Sequence, residues 1–424
     1  MVTQAANSVN PSPSVRAPIG LVLTGGGARA AYQVGVLAGI RRVLLSAGWP
    51  ADANPFQVFA GTSAGAINAT VLASGADQFF DAVAQLAIVW GSLEPAQIYR
   101  VDAGGALGNA AQWLGGAGLG WLIRRQPKAL FDTAPLHDLL VRMIDFERLA
   151  RNLENGHFDA LAVSASSYTS GRHVTFFQSR DSREPVTRSQ RLACPAILSP
   201  DHLMASSAIP FLFPAIALIM EGRNEYFGDG SMRQTAPISP AIHLGARRIL
   251  VVGSAELNRT AGNIDEQGSQ HSYPSLGQVG AHALASIFLD ALASDLERLE
   301  RINRTLAFMP PEARAGAALK PLQTLVISPS RALDKVAEPL VKRLPRSVRA
   351  LLRVMGATRG RGAAFSSYLL FDRSYTRRLL AMGRRDALAK RAEIEAFFGP
   401  YETPPEAPSA PPPTERRRQR FGGA

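Results

Sequence analysis

The sequence predicts an α/β protein, three layers deep, with a mostly parallel central sheet and helices on both faces, and three stretches carry that prediction. Ile19-Gly-Leu-Val-Leu-Thr24 is a β-rich apolar run that breaks into Gly25-Gly26-Gly27-Ala28-Arg29 and passes into a helix-forming segment. Gln57–Ile67, QVFAGTSAGAI, repeats the plan of strand, sharp small-residue turn and helix. Arg247–Gly253, RRILVVG, is a continuous apolar run of the kind buried on both faces of a parallel sheet. Strand-turn-helix units in succession argue for parallel strands joined by covering helices.

In chain order, residues 1–18 carry Asn, Ser and Pro without an apolar stretch and read as a disordered leader, not a secretory signal. After the first strand, Tyr32, Val36, Leu37 and Ile40 fall at helical spacing and Gly48 stops the helix. Phe56–Ala60 is the second strand, Ala64–Ala73 its helix, and Phe79–Trp90 a further helix. Residues 103–123 are uncharged and hold seven glycines together with Trp113 and Trp121. Each glycine costs a helix interior about 1 kcal/mol, so a flap fits this stretch better than a membrane span. A helix is expected at Pro135–Ile144 with Thr133 as N-cap, and strands at Ala160–Ser164 and His173–Gln178.

Ser199–Ala208 reads as a short helix stopped by Pro210, and the nineteen uncharged residues from His202 to Met220 read as core because Pro210 and Pro214 interrupt them. Glu225–Gly228 is a short strand running into Asp229-Gly230, followed by a helix at Ile238–Leu244. A long amphipathic helix is expected over Gly277–Ala307 and a last strand at Leu322–Ser328. Lys335–Met355 and Tyr375–Phe398 have the pattern of basic amphipathic helices, and 401–424 is a Pro- and Arg-rich tail read as disordered. The expected division is therefore a leader (1–18), a catalytic domain (19–330), a basic helical extension (331–400) and a tail.

At 424 residues and 46% hydrophobic, the chain has enough apolar surface for a large core. Its one cysteine, Cys194, excludes an internal disulfide and a cysteine-rich zinc site and reads as a small buried hydrophobe, and a cytoplasmic setting follows. The net charge of +12 is unevenly placed: residues 331–424 hold 20 Lys/Arg against 9 Asp/Glu, so nearly all of the excess is C-terminal. Such a segment suits an anionic membrane surface or simply solvates helices, and no recognisable nucleic-acid module accompanies it.

Chemistry centres on Gly61-Thr62-Ser63-Ala64-Gly65. A Gly-x-Ser-x-Gly at a strand-to-helix junction holds the serine on a tight turn, with its hydroxyl at a helix N-terminus that favours developing negative charge. Ser63 is thus a candidate acyl-transfer nucleophile. Its base is open at this level: Asp229 lies between glycines at a strand end, and the order Ser, Asp229, then His243, His271 or His282 also permits a triad.

Taken together, Gly25-Gly26-Gly27-Ala28-Arg29, Gly61-Thr62-Ser63-Ala64-Gly65, Ala205-Ser206-Ser207-Ala208-Ile209-Pro210 and Asp229-Gly230 resemble the patatin-like phospholipase family. The stretch from Tyr368-Leu-Leu-Phe-Asp372 through Gly383 to Asp386-Ala387 is similar to the C-terminal part of bacterial members. The resemblance implies a Ser63–Asp229 dyad without histidine, and an oxyanion hole from the N–H groups of Gly25, Gly26 and Gly27, to which Ala64 is added at the helix N-terminus. It implies a phospholipid or other fatty-acyl ester as substrate, and no metal or cofactor. Arg29 either orients the glycine turn or meets a lipid phosphate. The chain departs from the family at Ala30, where glycine is frequent, and at Ser231, where glycine or alanine is frequent. Two rivals stand beside this reading: a catalytically silent lipid-binding protein, and a dinucleotide-binding oxidoreductase suggested by Gly25-x-Gly27-x-x-Ala30. The latter needs an acid at the end of the second strand, which ends instead in Ala60-Gly61-Thr62-Ser63.

Overall fold

The structure, a computed structural model, describes residues 17–100, 129–188, 190–254, 291–317, 319–354 and 363–401. The leader up to residue 16, the glycine-rich stretch 103–123, the start of the helix expected at 277–307, His271, His282 and the tail beyond Tyr401 lie outside them.

Five parallel strands form the centre of a ten-stranded sheet, in the spatial order β10 (Gln323–Ile327), β9 (Arg248–Val252), β1 (Ile19–Leu23), β2 (Val58–Thr62) and β3 (Ala160–Ser167). Every residue of β1 and β2 is buried, which is why they read as unbroken apolar runs. Beyond β3 the sheet turns antiparallel at β4 (His173–Ser179), then adds β6 (Arg191–Pro195) and β5 (Val186–Arg188). A hairpin of β7 (Ile216–Met220) and β8 (Arg223–Asp229) joins through β8 to β3.

The pairing of β3 organises the site. One of its edges is taken along its length by β4, whereas the other is shared between β2, opposite Ala160–Ser164, and β8, opposite Ala165–Ser167. Because β2 runs parallel to β3 and β8 antiparallel, the two strands meet end to end, Thr62 beside Ser164 and Asp229 beside Ala165. The residues just past Thr62 and at the tip of β8 are brought together by strand register alone.

Side-chain alternation divides the core into two layers. Leu21, Leu23, Phe59, Leu161 and Val163 face α1 (Ala31–Ser46), α2 (Ala64–Ser74) and α3 (Phe79–Ser92), with α4 (Ala134–Met143), α5 (Phe146–Glu154) and α6 (Pro200–Ser206) on the same side. Val22, Val58, Ala60, Ala160 and Ala162 face α7 (Ser239–His243) and α8 (Ala291–Phe308), which bring Ala241 and Leu292. A short α9 (Pro311–Gly316) precedes β10.

The C-terminal region is helical: α10 (Leu333–Ala337), α11 (Arg346–Val354), α12 (Ala363–Leu369), α13 (Arg373–Ala389) and α14 (Arg391–Phe398). The single helix expected over Lys335–Met355 is broken into two, with Pro339 and Pro345 in the segment between them, and that over Tyr375–Phe398 is interrupted at Lys390. These helices share the main core instead of standing apart from it: Phe365, Leu369, Tyr375, Leu379 and Phe398 are buried in the same layer as α1. Helix α13 lies so close to α1 that a β-carbon at Gly383 would sit 2.7 Å from the Val36 nitrogen. Cys194, expected inside, is only partly buried on β6, which lies between β4 and the edge strand β5. Among the described residues no helix is long and apolar enough to cross a membrane; of His202–Met220, Leu203–Phe213 is core apart from exposed Phe211, whereas β7 alternates buried Leu218 and Met220 with exposed Ala217 and Ile219.

Candidate active site

Ser63 occupies the turn between β2 and α2 with φ 55°, a left-handed conformation that costs a non-glycine residue about 1–3 kcal/mol. The turn is held because it has no room to relax. A β-carbon at Gly61 would meet the Ala66 backbone, and one at Gly65 would run into the carbonyls of Leu23 and Thr24, so α2 packs directly on the ends of β1 and β2. The Ser63 N–H donates to Ser206 Oγ (2.8 Å), whose own hydroxyl donates to the Ser164 carbonyl of β3 (2.6 Å). Ser206 therefore ties the serine turn to the sheet.

Asp229, fully buried at the tip of β8, faces that turn. Its N–H donates to Ala208 O (2.9 Å), and its Oδ1 accepts from the Ser231 N–H (2.9 Å). Oδ2 has no hydrogen-bond partner, so the Ser63 hydroxyl acts on the carboxylate from outside hydrogen-bonding geometry. Such contacts are often long without substrate and tighten when it binds. Burial pushes the Asp229 carboxyl up to about 6, against the opposing pull of the Ser63 hydroxyl and of Ser231.

The glycine turn is the third component. Ser254, just beyond β9, donates its hydroxyl to Gly25 O and its N–H to Thr24 Oγ1 (3.2 Å), while Gly27 adopts φ 52° and packs directly on the Tyr368 carbonyl of α12. Among the described residues no acceptor is bonded to the N–H groups of Gly25, Gly26, Gly27 or Ala64. Of these four, Gly27 and Ala64 line the cavity at Ser63; Gly25 and Gly26 instead pack on Ser254.

That cavity has a volume of about 50 Å³ and is walled by apolar side chains, among them Ile67, Trp90, Leu140, Met143, Phe213 and Phe371. Ser207 also lines it, with a buried hydroxyl that has no partner. No described histidine does: His173 and His243 belong to a separate cavity, and His202 caps α6 by bonding Ser199. Among the described residues no group of three or more His, Cys, Asp or Glu is placed to hold a metal.

Arg29 does not line the cavity either. It is buried, its Nε donating to Ser367 Oγ (2.6 Å), its Nη1 to the Tyr368 hydroxyl (3.3 Å), with Cζ 4.1 Å above the Tyr368 ring. The guanidinium is thus committed to α12, which removes the lipid-phosphate contact and leaves a brace between the glycine turn and the C-terminal helices. Sequence reasoning assigned no role to Ser206, Ser207, Ser254 or Phe371. The first two stood in the Ala205–Pro210 motif and Phe371 in the Tyr368–Asp372 stretch, whereas Ser254 carries no local signal.

Comparison with known proteins follows the same lines. No curated protein matches the chain. Among solved structures, VipD from Legionella pneumophila aligns at 15% identity and a TM-score of 0.27, over 86% of this chain and 67% of that one. The Patatin signature, described as patatin-like phospholipase, matches residues 21–242, just over half of the chain, from β1 through the glycine turn, Ser63 and Asp229 to α7. The chain belongs to the patatin-like phospholipase family and is, in general class, a lipid acyl hydrolase.

Proposed function

We propose that the protein hydrolyses fatty-acyl esters, phospholipids or lysophospholipids, through a Ser63–Asp229 dyad and a covalent acyl-enzyme. The observation that carries this reading is the meeting of Ser63 with an unsatisfied, buried Asp229 oxygen at the foot of an apolar cavity. The acyl chain lies in the cavity and presents its ester carbon to Ser63 Oγ. As Oγ attacks, its proton passes to Asp229, and the carbonyl oxygen becomes an oxyanion held by the N–H groups of Gly27 and Ala64. Collapse of this intermediate breaks the ester C–O bond, and the Asp229 carboxyl returns the proton to the departing alcohol. Water then attacks the acyl-enzyme by the same sequence, releasing the fatty acid and restoring Ser63. An aspartate near 6 is a stronger base than an ordinary carboxylate and is ionised at neutral pH.

A fluorophosphonate probe should label the wild-type protein at Ser63 and fail to label Ser63→Ala. Labelling that persists in that variant, or ester turnover that survives it, overturns the assignment.

The basic C-terminal region of the protein holds it at an anionic membrane surface. Each Lys or Arg near such a surface contributes about 1 kcal/mol, within a Debye length of about 8 Å. Vesicle co-sedimentation of Ser63→Ala should rise with the fraction of phosphatidylglycerol and fall with salt. Equal binding to neutral vesicles would return those arginines to a solvating role.

A further inference from the structure

A second cavity, of about 350 Å³, opens on the face of the sheet opposite Ser63, between β4, β5, β6 and α7. Its floor carries Phe177 and Ala193, and Val186 and Leu244 add apolar wall. Set into this surface are His173, Arg183 and Arg191.

The polar groups are short of acceptors. Arg191 makes no hydrogen bond or ion pair among the described residues, although Asp295 of α8 feels its charge from a distance. Arg183 donates through Nη1 to the His243 carbonyl (3.0 Å) and stands 3.9 Å from the exposed Asp181, but its Nε is buried without a partner. His173 is 5% exposed and its Nδ1 is likewise unpartnered. Burial first, and then the charge of Arg191, holds its imidazole down at about 4, so the ring is neutral and the field around it is positive. The one carboxylate lining the cavity, Glu184, is exposed at its rim. Partly buried guanidinium groups without acceptors are costly, and an anion relieves that cost with charge-assisted hydrogen bonds.

We propose that this cavity binds an amphiphile with a single anionic head, the head at Arg191 and Arg183 and the apolar body along Phe177, Ala193 and Leu244. Two heads have this chemistry, the carboxylate of a free fatty acid and the phosphate of a lipid. The volume is that of a small-molecule site, and position on the far face makes it a different place from the one where an acyl chain meets Ser63. The site does not depend on the catalytic reading of Ser63.

The test is photocrosslinking of the full-length protein with a diazirine-bearing dodecanoate, followed by peptide mapping. Adducts are expected on the strands carrying His173–Phe177 and Arg191–Ala193. Arg191→Gln should reduce them about tenfold, the effect of roughly 1.4 kcal/mol of lost head-group binding. Fluorophosphonate labelling of Ser63 in the same samples should be unchanged, which separates failure here from failure of the catalytic reading. Dodecanoate and dodecyl phosphate should both displace the probe, the better competitor naming the head, while dodecanol should not. Competition by dodecanol equal to that of the anions, adducts unaltered in Arg191→Gln, or adducts absent from these strands would each overturn the proposal.

Discussion

Two buried polar clusters lie on the helical side of the sheet a few residues apart, and they are built on opposite terms. Behind the glycine turn, Trp90 Nε1 donates to Asn68 Oδ1 (2.8 Å), Asn68 Nδ2 to Gln33 Oε1 (3.2 Å), and Gln33 Nε2 to the carbonyl of Thr24 (2.7 Å). Each group in that chain is matched. At the junction of β2 and β8, by contrast, Asp229 Oδ2 and Ser207 Oγ are buried without partners and Ser63 is held at positive φ. Matched networks fix geometry, whereas unmatched ones store a cost that a substrate can relieve. The difference marks where chemistry belongs, and it is open to test on both sides.

The largest effect is expected at Asp229. Asp229→Asn removes the proposed base while keeping the shape, and kcat should fall at least a hundredfold, the usual contribution of a general base. In the unmodified protein kcat/KM should rise with pH through about 6 and then level, because only the carboxylate accepts the serine proton. Stability should run the other way. A carboxyl raised from 3.8 to about 6 stabilises the fold fully below 3.8, and that contribution is lost as pH rises through 6. The loss is on the order of 3 kcal/mol, and urea melts of Asp229→Asn should lack it. A pH–rate profile flat between about 5 and 7, one unit either side of that value, would remove Asp229 from the mechanism.

The matched cluster should respond in stability instead. Asn68→Ala strips Trp90 Nε1 and the Gln33 carboxamide of their shared partner, leaving buried donors and acceptors unpaired at about 1–3 kcal/mol. Urea denaturation should show a loss of that size, with Ser63 still labelled by fluorophosphonate. Unchanged stability together with lost labelling would mean that the network serves the chemistry directly and that the contrast between the clusters is false.

The same contrast explains what was legible in the sequence. Strands β1, β2 and β9 announce themselves because burial on both faces demands unbroken apolar runs. The serine turn is legible because Gly61 and Gly65 are required by backbone contact. Asp229 is recognisable at a glycine-flanked strand end, but its approach to Ser63 depends on β2 and β8 sharing one edge of β3, which no local pattern encodes. Strands β5 and β7 are edges and β6 is only partly buried, so their patterns are mixed, with exposed residues such as Ile219; α5, by contrast, has Phe146, Leu149 and Leu153 at helical spacing behind an Asp145 cap, a local signal that sequence reading passed over. Arg29 misleads for a related reason: a conspicuous arginine beside a glycine turn invites an anion, and its partners, Ser367 and Tyr368, lie more than three hundred residues away in sequence.

The smallest effect, and the finest test, lies at Ser207. Its hydroxyl is buried in the wall of the Ser63 cavity and bonds to nothing, so removing it should leave the folded chain no less stable; an unpaired hydroxyl deleted from an apolar setting is neutral or mildly favourable. If the group waits for a polar atom of the substrate head, Ser207→Ala should raise KM several-fold for a glycerol-bearing ester. It should change KM little for a p-nitrophenyl ester, which has no hydroxyl to offer, and kcat should hold in both. That split separates substrate binding from a role in the oxyanion hole, where loss of a donor lowers kcat by about a hundredfold or more. A fall in kcat for both substrates would place Ser207 with Gly27 and Ala64. A loss of stability would move it into the matched class, showing that its hydroxyl bonds internally in solution and that the open cluster consists of Asp229 and Ser63 alone.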